Sequence, residues 1–250
     1  MTADSVTVAR PTPRLRAVAN ESPAALKIRL LSGFTLVRGD EVVELPLSVQ
    51  RLVIFLSLQV HPLHRPHVAG TLWPDTTDQR ASANLRSALW RLNQLNCPLI
   101  KATGSSLQIA PNVTVDLRES SARAHELLRH EDTQLGAQDE LQFCFDLLPD
   151  WYDDWLVIER ERFHQLRLRA LELICERLTA SREYARALEA VLAAVAAEPL
   201  RESAHRALMK VHLAEGNRAE AFRQFQFYRQ ILQDELGLAP SVQIIELLRT

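Results

Sequence analysis

An α+β winged helix-turn-helix N-terminal domain followed by an all-α tetratricopeptide-like helical repeat domain is the fold the sequence predicts, and three observations carry it. Short alternating apolar segments surround three helical segments between Leu26 and Asp116. Beyond Asp116 the apolar pattern is helical almost throughout. That second part also matches itself at a shift of 34 residues: Ala170 falls on Ala204, Leu173 on Ala207, Ile174 on Leu208, Ala187 on Ala221 and Leu188 on Phe222. Small residues recur where helix pairs pack closely, and this is the period of tetratricopeptide hairpins, which bury their faces only by stacking on one another.

Residues 1–25 contain three prolines, small polar residues and little periodicity, and read as a disordered, slightly basic leader. In residues 26–116, Leu26, Ile28 and Leu30 alternate on one face of a strand, and Phe34 and Leu36 continue after Ser32-Gly33. Glu41 to Leu45 suits a third short strand after the Gly39-Asp40 turn. Ser48 to Val60 then places Leu52, Val53, Leu56 and Val60 at helical spacing, with Ser48 positioned to cap it. His61-Pro62 ends that helix, Pro66 suits the first turn of the next, and Trp73-Pro74 closes it. From Asp78 to Asn96 a narrow stripe of Ala81, Leu85, Ala88, Leu89, Leu92 and Leu95 predicts an amphipathic helix, stopped by Cys97-Pro98. Leu99 to Ala102, a Gly104-Ser105 turn and Leu107 to Ala110 predict a hairpin, with one more strand at Val113 to Val115. In residues 117–250, Ser121 to His130 and Gln138 to Asp146 read as a further helix pair, giving about three stacked hairpins.

Composition excludes several classes. The seven glycines never fall at the separations that phosphate-cradling loops demand. Cys97, Cys144 and Cys175 are too few and too scattered for a disulfide framework or a zinc knuckle, which fits a reducing compartment. No apolar run is long enough for a membrane helix, and no signal segment follows the N-terminal arginines, so a cytoplasmic protein without a membrane partner is expected. The net charge of −2 conceals an asymmetry: residues 26–116 carry nine basic and six acidic side chains, residues 117–250 seventeen and twenty-three. One half suits a polyanion and the other a different partner.

Strands, three helices and a hairpin are the layout that places a third helix in the major groove of DNA while the hairpin reaches the adjoining backbone. With the leucine seam of Asp78 to Asn96 inward, the opposite face presents Gln79, Arg80, Ala83, Arg86, Ser87, Trp90, Arg91 and Gln94, almost free of acid. Arginine reads guanine bidentately, glutamine reads adenine, and serine binds phosphate. Lys101 and the turn Thr103 to Ser106 fall on the wing. Trp90, amid polar neighbours, is costly unless it meets a sugar-phosphate edge or a neighbouring domain.

At these residues the sequence resembles a known family. Leu72-Trp73-Pro74-Asp75 and Asn84-Leu85-Arg86-Ser87-Ala88-Leu89-Trp90-Arg91-Leu92 are similar to the OmpR-type winged helix of the Streptomyces antibiotic regulatory protein (SARP) family. Glu198-Pro199-Leu200-Arg201-Glu202, Glu215 to Ala221 and Glu235-Leu236-Gly237-Leu238-Ala239-Pro240 resemble the bacterial transcriptional activation domain, BTAD, that follows it there. The resemblance implies a transcriptional activator that binds direct repeats near a promoter, often as side-by-side protomers, and contacts RNA polymerase. Face and resemblance together give Arg80, Asn84, Arg86, Ser87, Trp90, Arg91, Gln94, Lys101, Thr103 and Ser105 as candidate contacts to double-stranded DNA. Two departures stand out: Asn93 follows Arg91-Leu92 where the family usually carries a further arginine, and Trp90 stands where a smaller or basic residue is common.

Other constellations carry blander readings. His61, His64 and His67 have a metal-like spacing, but Pro62 and Pro66 interrupt it, and His64 or Arg65 fits a phosphate contact better. Asp150, Asp153 and Asp154, among Trp151, Tyr152 and Trp155, suit a helix N-terminus with aromatics stapling the hairpins. Tyr184, Phe222, Phe225, Phe227 and Tyr228 read as repeat packing. No catalytic set and no cofactor is expected. The alternative from another class is a helical-repeat adaptor whose winged helix binds protein instead of DNA.

Overall fold

The computed structural model describes residues 25–95, 97–130 and 132–249. The leader expected over residues 1–25 lies outside them except for Ala25. The chain opens with β1 (Leu26–Arg29), β2 (Thr35–Arg38) and β3 (Glu41–Val42), an antiparallel meander in which Leu26 faces Arg38 and Val37 faces Val42. The β1–β2 turn needs positive φ at both Ser32 and Gly33, which glycine adopts without steric cost.

Helix α1 (Leu47–Ser57) follows. Its N-cap is Pro46 and no side chain caps it; Ser48 instead accepts from the Arg91 guanidinium at 3.4 Å. The helix also stops short of Val60, which is 85% exposed. Arg118, distant in sequence, donates to the carbonyls of Leu56, Ser57 and Gln59 and so satisfies the helix end there.

A two-residue strand β4 (Leu63–His64) occupies what the proline-rich pattern presents as plain connection, and leads into α2 (Arg65–Leu72) with Pro66 in its first turn. After a short loop comes α3 (Asp78–Gln94), whose N-cap Thr77 accepts from the Arg80 N–H. Then β5 (Ile100–Thr103) and β6 (Ser106–Ile109) form the hairpin, and β4 pairs with β6, making the wing three-stranded in the order β4-β6-β5. Strand β7 (Val113–Val115) leaves the wing and runs parallel to β1, completing a first sheet of order β3-β2-β1-β7.

Helix α4 (Asp116–Arg129) starts at that strand's end. The Asp116 carboxylate accepts from the N–H groups of Leu30, Leu31 and Leu117, and so ties helix to sheet. Burial pushes its pKa up, with those N–H groups pulling it back. The helix expected over Gln138 to Asp146 shrinks to the four-residue α5 (Asp139–Gln142). Its two acids are buried and met by Arg123 and Arg186, both of whose pKa values rise. The Arg186 guanidinium holds the Glu140 carboxyl below its ordinary range.

The long α6 (Asp154–Ala180) pairs with α7 (Tyr184–Ala197), and α8 (Glu202–Glu215) with α9 (Arg218–Leu236); α10 (Val242–Glu246) covers the end. Ala170, Ala187, Ala204 and Ala221, the residues aligned by the 34-residue shift, are all fully buried. Leu188 and Phe222 align equally well in sequence but do not share this fate, since Phe222 is exposed. Phe227 is exposed too, whereas Tyr228 stacks on buried His205. Gly216 and Gly237 end α8 and α9 with left-handed backbone, the C-cap for which glycine is suited.

The first hydrophobic core does not stop at residue 116. It joins Ile28, Leu52, Leu85 and Leu107 to Leu147, Leu148, Leu156 and Phe163. Backbone bonds Leu148 N–H to Leu30 O and Ser32 N–H to Asp146 O, both 2.9 Å, stitch the same seam. The aspartate and tryptophan cluster belongs here as well. Asp153 pairs with Arg51 of α1 at 2.6 Å and Trp155 meets Phe55 edge to face at 5.2 Å, so these two residues staple the halves together instead of the hairpins, while Tyr152 is exposed.

Candidate nucleic-acid interface

Helix α3 buries Ala81, Leu85, Ala88 and Leu92, a single stripe against α1 and α2. Four inward residues over about three turns fix the helix's rotation, because turning it would expose leucines worth about 1.5–3 kcal/mol each. The rotation in turn decides the outer face. Gln79, Arg80, Arg86, Ser87, Trp90, Arg91 and Gln94 are exposed, while Asn84 and Ala83 are half-buried.

Among the described residues no protein group takes the Arg80 or Arg86 guanidinium, so their fork-shaped donors are open to a partner. Arg91 reaches back to Ser48, and Ser87 donates to the Ala83 carbonyl at 3.1 Å. Trp90 is 62% exposed. The helical repeats leave this face uncovered, since their contacts fall on α1 and on the first sheet.

The wing brings the remaining candidates to one edge. Thr103 pairs with Ser106 across a two-residue turn, and Gly104, with φ +57°, takes the central position that glycine favours in tight hairpins. Lys101, Thr103 and Ser105 are exposed. Two bonds anchor the tip to the start of α2: the Arg65 N–H donates to the Ser105 carbonyl at 2.8 Å, and the His64 ring lies 3.3 Å from the Ser105 hydroxyl. His64 is thus a wing-positioning residue, and no metal cluster forms among the described residues.

The sequence reading gives Ser48 only as a helix cap and passes over Leu47. They sit at the start of α1, where the Arg91–Ser48 bond joins them to the α3 face, and Leu47 is largely exposed. Only folding brings positions 43 apart together, so no local signal could have found them.

Comparison with known proteins fits this geometry. Residues 145–250 match the family described as the bacterial transcriptional activator domain. No curated protein matches the chain in sequence. Among solved structures, Mycobacterium tuberculosis EmbR, determined in complex with a low-affinity phosphopeptide, superposes with a TM-score of 0.68 at 17% identity. The match covers 90% of this chain and 64% of that one. The class is therefore a winged-helix protein carrying a bacterial transcriptional activator domain. Within it, the match to the bacterial transcriptional activator domain is carried by residues 145–250, and the likeness of the whole chain to EmbR is one of fold.

No helix among the described residues is long and apolar enough to cross a membrane.

Proposed function

We propose that this regulator is a sequence-specific DNA-binding transcriptional activator that acts without catalysis, in the cytoplasm. Helix α3 enters the major groove with Arg80, Arg86, Arg91 and Gln94 toward base edges, and Asn84, Ser87 and Trp90 along the groove wall. Lys101, Thr103 and Ser105 hold the neighbouring phosphates from the wing. The single observation that carries this reading is the uncovered face of α3: two unpaired arginines and an exposed tryptophan, aimed by a buried leucine stripe. The acidic helical half then stands clear of the duplex, free to contact RNA polymerase or a second protomer on an adjacent direct repeat.

Fluorescence anisotropy on genomic fragments selected by the purified full chain tests the proposal. A logarithm of affinity that falls linearly with the logarithm of salt concentration, together with a footprint showing repeat spacing, is the expected result. A chain that retains no fragment even at low salt is an adaptor, and the DNA reading is lost.

A further inference from the structure

The helical half carries a second uncovered surface, and it lies away from α3. Along one side of α6 two hollows of about 630 and 360 Å³ meet at Leu128 and Arg169, running from Ile158 to Thr179 and on to α8. At 1.5 Å per residue this span of α6 is about 30 Å long, enough for a helical segment of about twenty residues or an extended one of about ten. Its floor is apolar, with Leu166 and Leu173 half-buried, Ile158 66% exposed and Leu128 39% exposed. Nothing in the described chain covers these side chains.

The charges at the α8 end decide what fits. Arg169, Arg206 and Lys210 line it, and no carboxylate among the described residues pairs with any of them. Of the two acids there, Glu172 is already engaged by Arg201 and Ser203, which leaves Glu176 alone against three cations. This is a positive pocket inside a half-chain that carries six more acids than bases. Residues 1–24 offer three arginines and two acids, so the chain's own N-terminus has the wrong sign to fill it. A nucleic-acid backbone would satisfy the cations but leave the leucines and Ile158 against water.

We propose that this groove docks an acidic, amphipathic peptide segment of a partner protein. Its apolar side chains lie on Leu128, Ile158 and Leu173, and its carboxylates face Arg169, Arg206 and Lys210. Such pairing combines apolar burial with charge-assisted hydrogen bonds at a partly enclosed site, where screening by salt is weaker than on an open surface. The proposal does not depend on DNA binding by α3.

Panning a random twelve-residue peptide library on the full-length protein tests it, followed by affinity measurements on the enriched peptides. Expected are sequences that combine Asp or Glu with Leu, Ile or Phe. They should bind at least tenfold more weakly to an Arg169→Glu/Arg206→Glu variant whose circular dichroism and melting match the parent. Leu128→Ser should weaken the same peptides without changing the preference for acid, and Arg169→Gln/Arg206→Gln should fall between parent and reversal. No enrichment, enriched peptides without acids, equal binding to both charge variants, or displacement by a single-stranded oligonucleotide at equal concentration would each overturn the assignment.

Discussion

Two groups of arginines do opposite work in the helical half and on the outer face of α3. In the helical half Arg160 donates to the carbonyls of Leu147, Leu148 and Trp151, and Arg177 to those of Leu127, His130 and Thr133. Arg167, almost wholly buried, bonds Asp146 and the Phe143 carbonyl. Each closes a loop or a helix end that would otherwise leave carbonyl groups without donors. On α3 the guanidinium groups of Arg80 and Arg86 touch no acceptor among the described residues. Since a guanidinium is always charged and carries five donors, one left without a protein acceptor at the surface is open to water or to the acceptors of a partner. Among the described residues of the helical half, Arg129, Arg169, Arg182, Arg206, Arg218, Arg229 and Arg249 are likewise without a protein acceptor for the guanidinium, and of these Arg169 and Arg206 line the α6 groove.

The contrast can be broken first where its effect is largest. Arg160→Ala removes the donor from three carbonyls at the seam between the halves and should cost about 3 kcal/mol of stability, measured by urea unfolding with tryptophan fluorescence. A loss below about 0.5 kcal/mol would mean that water replaces the guanidinium freely. Arg86→Ala should do the reverse: affinity for the selected DNA fragment falls by about 1–3 kcal/mol while the melting temperature stays put. If stability drops and affinity does not, Arg86 is structural after all. Lys101→Ala, on the wing, should reduce the slope of log affinity against log salt by about one and weaken all sequences alike.

The smallest effect concerns a polar group that the helical half hides. His205 is fully buried, its ring nitrogens bonded to the Pro199 carbonyl at 2.8 Å and the Gln224 amide at 2.6 Å. Burial lowers its pKa from the ordinary 6.5. The unfolded chain therefore takes up this proton at higher pH than the folded one, and the contribution of His205 to stability declines as pH drops through about 6.5. Unfolding curves between pH 7.5 and 5 should be less pH-dependent for His205→Gln than for the parent. Equal slopes would show that the ring is protonated as easily inside as outside.

Much of this was legible in the chain because the signals are local. The leucine stripe of α3, the Gly104 turn and the alanines at a spacing of 34 each constrain structure over a few neighbouring turns. Errors arose where distant residues intervene. Ser48 suits a cap by type, yet its hydroxyl serves Arg91. Val60 continues an apolar stripe, yet Arg118 ends the helix before it. Residues 63–64 form a strand only because β6 lies alongside. Trp155 reads as a staple between hairpins, but its partner is Phe55 of the winged helix.

What the sequence determined by itself is the kind and order of elements and the identity of the outward face of α3, since helical periodicity assigns a side to every residue without knowledge of the neighbours. What the tertiary structure decided is which of those faces stay bare. The core that runs from Ile28 through Phe55 to Phe163 locks the helical half against α1 and the first sheet, and so leaves α3 and the α6 groove open. Exposure belongs to pairs of surfaces, and a linear pattern holds only one member of each pair.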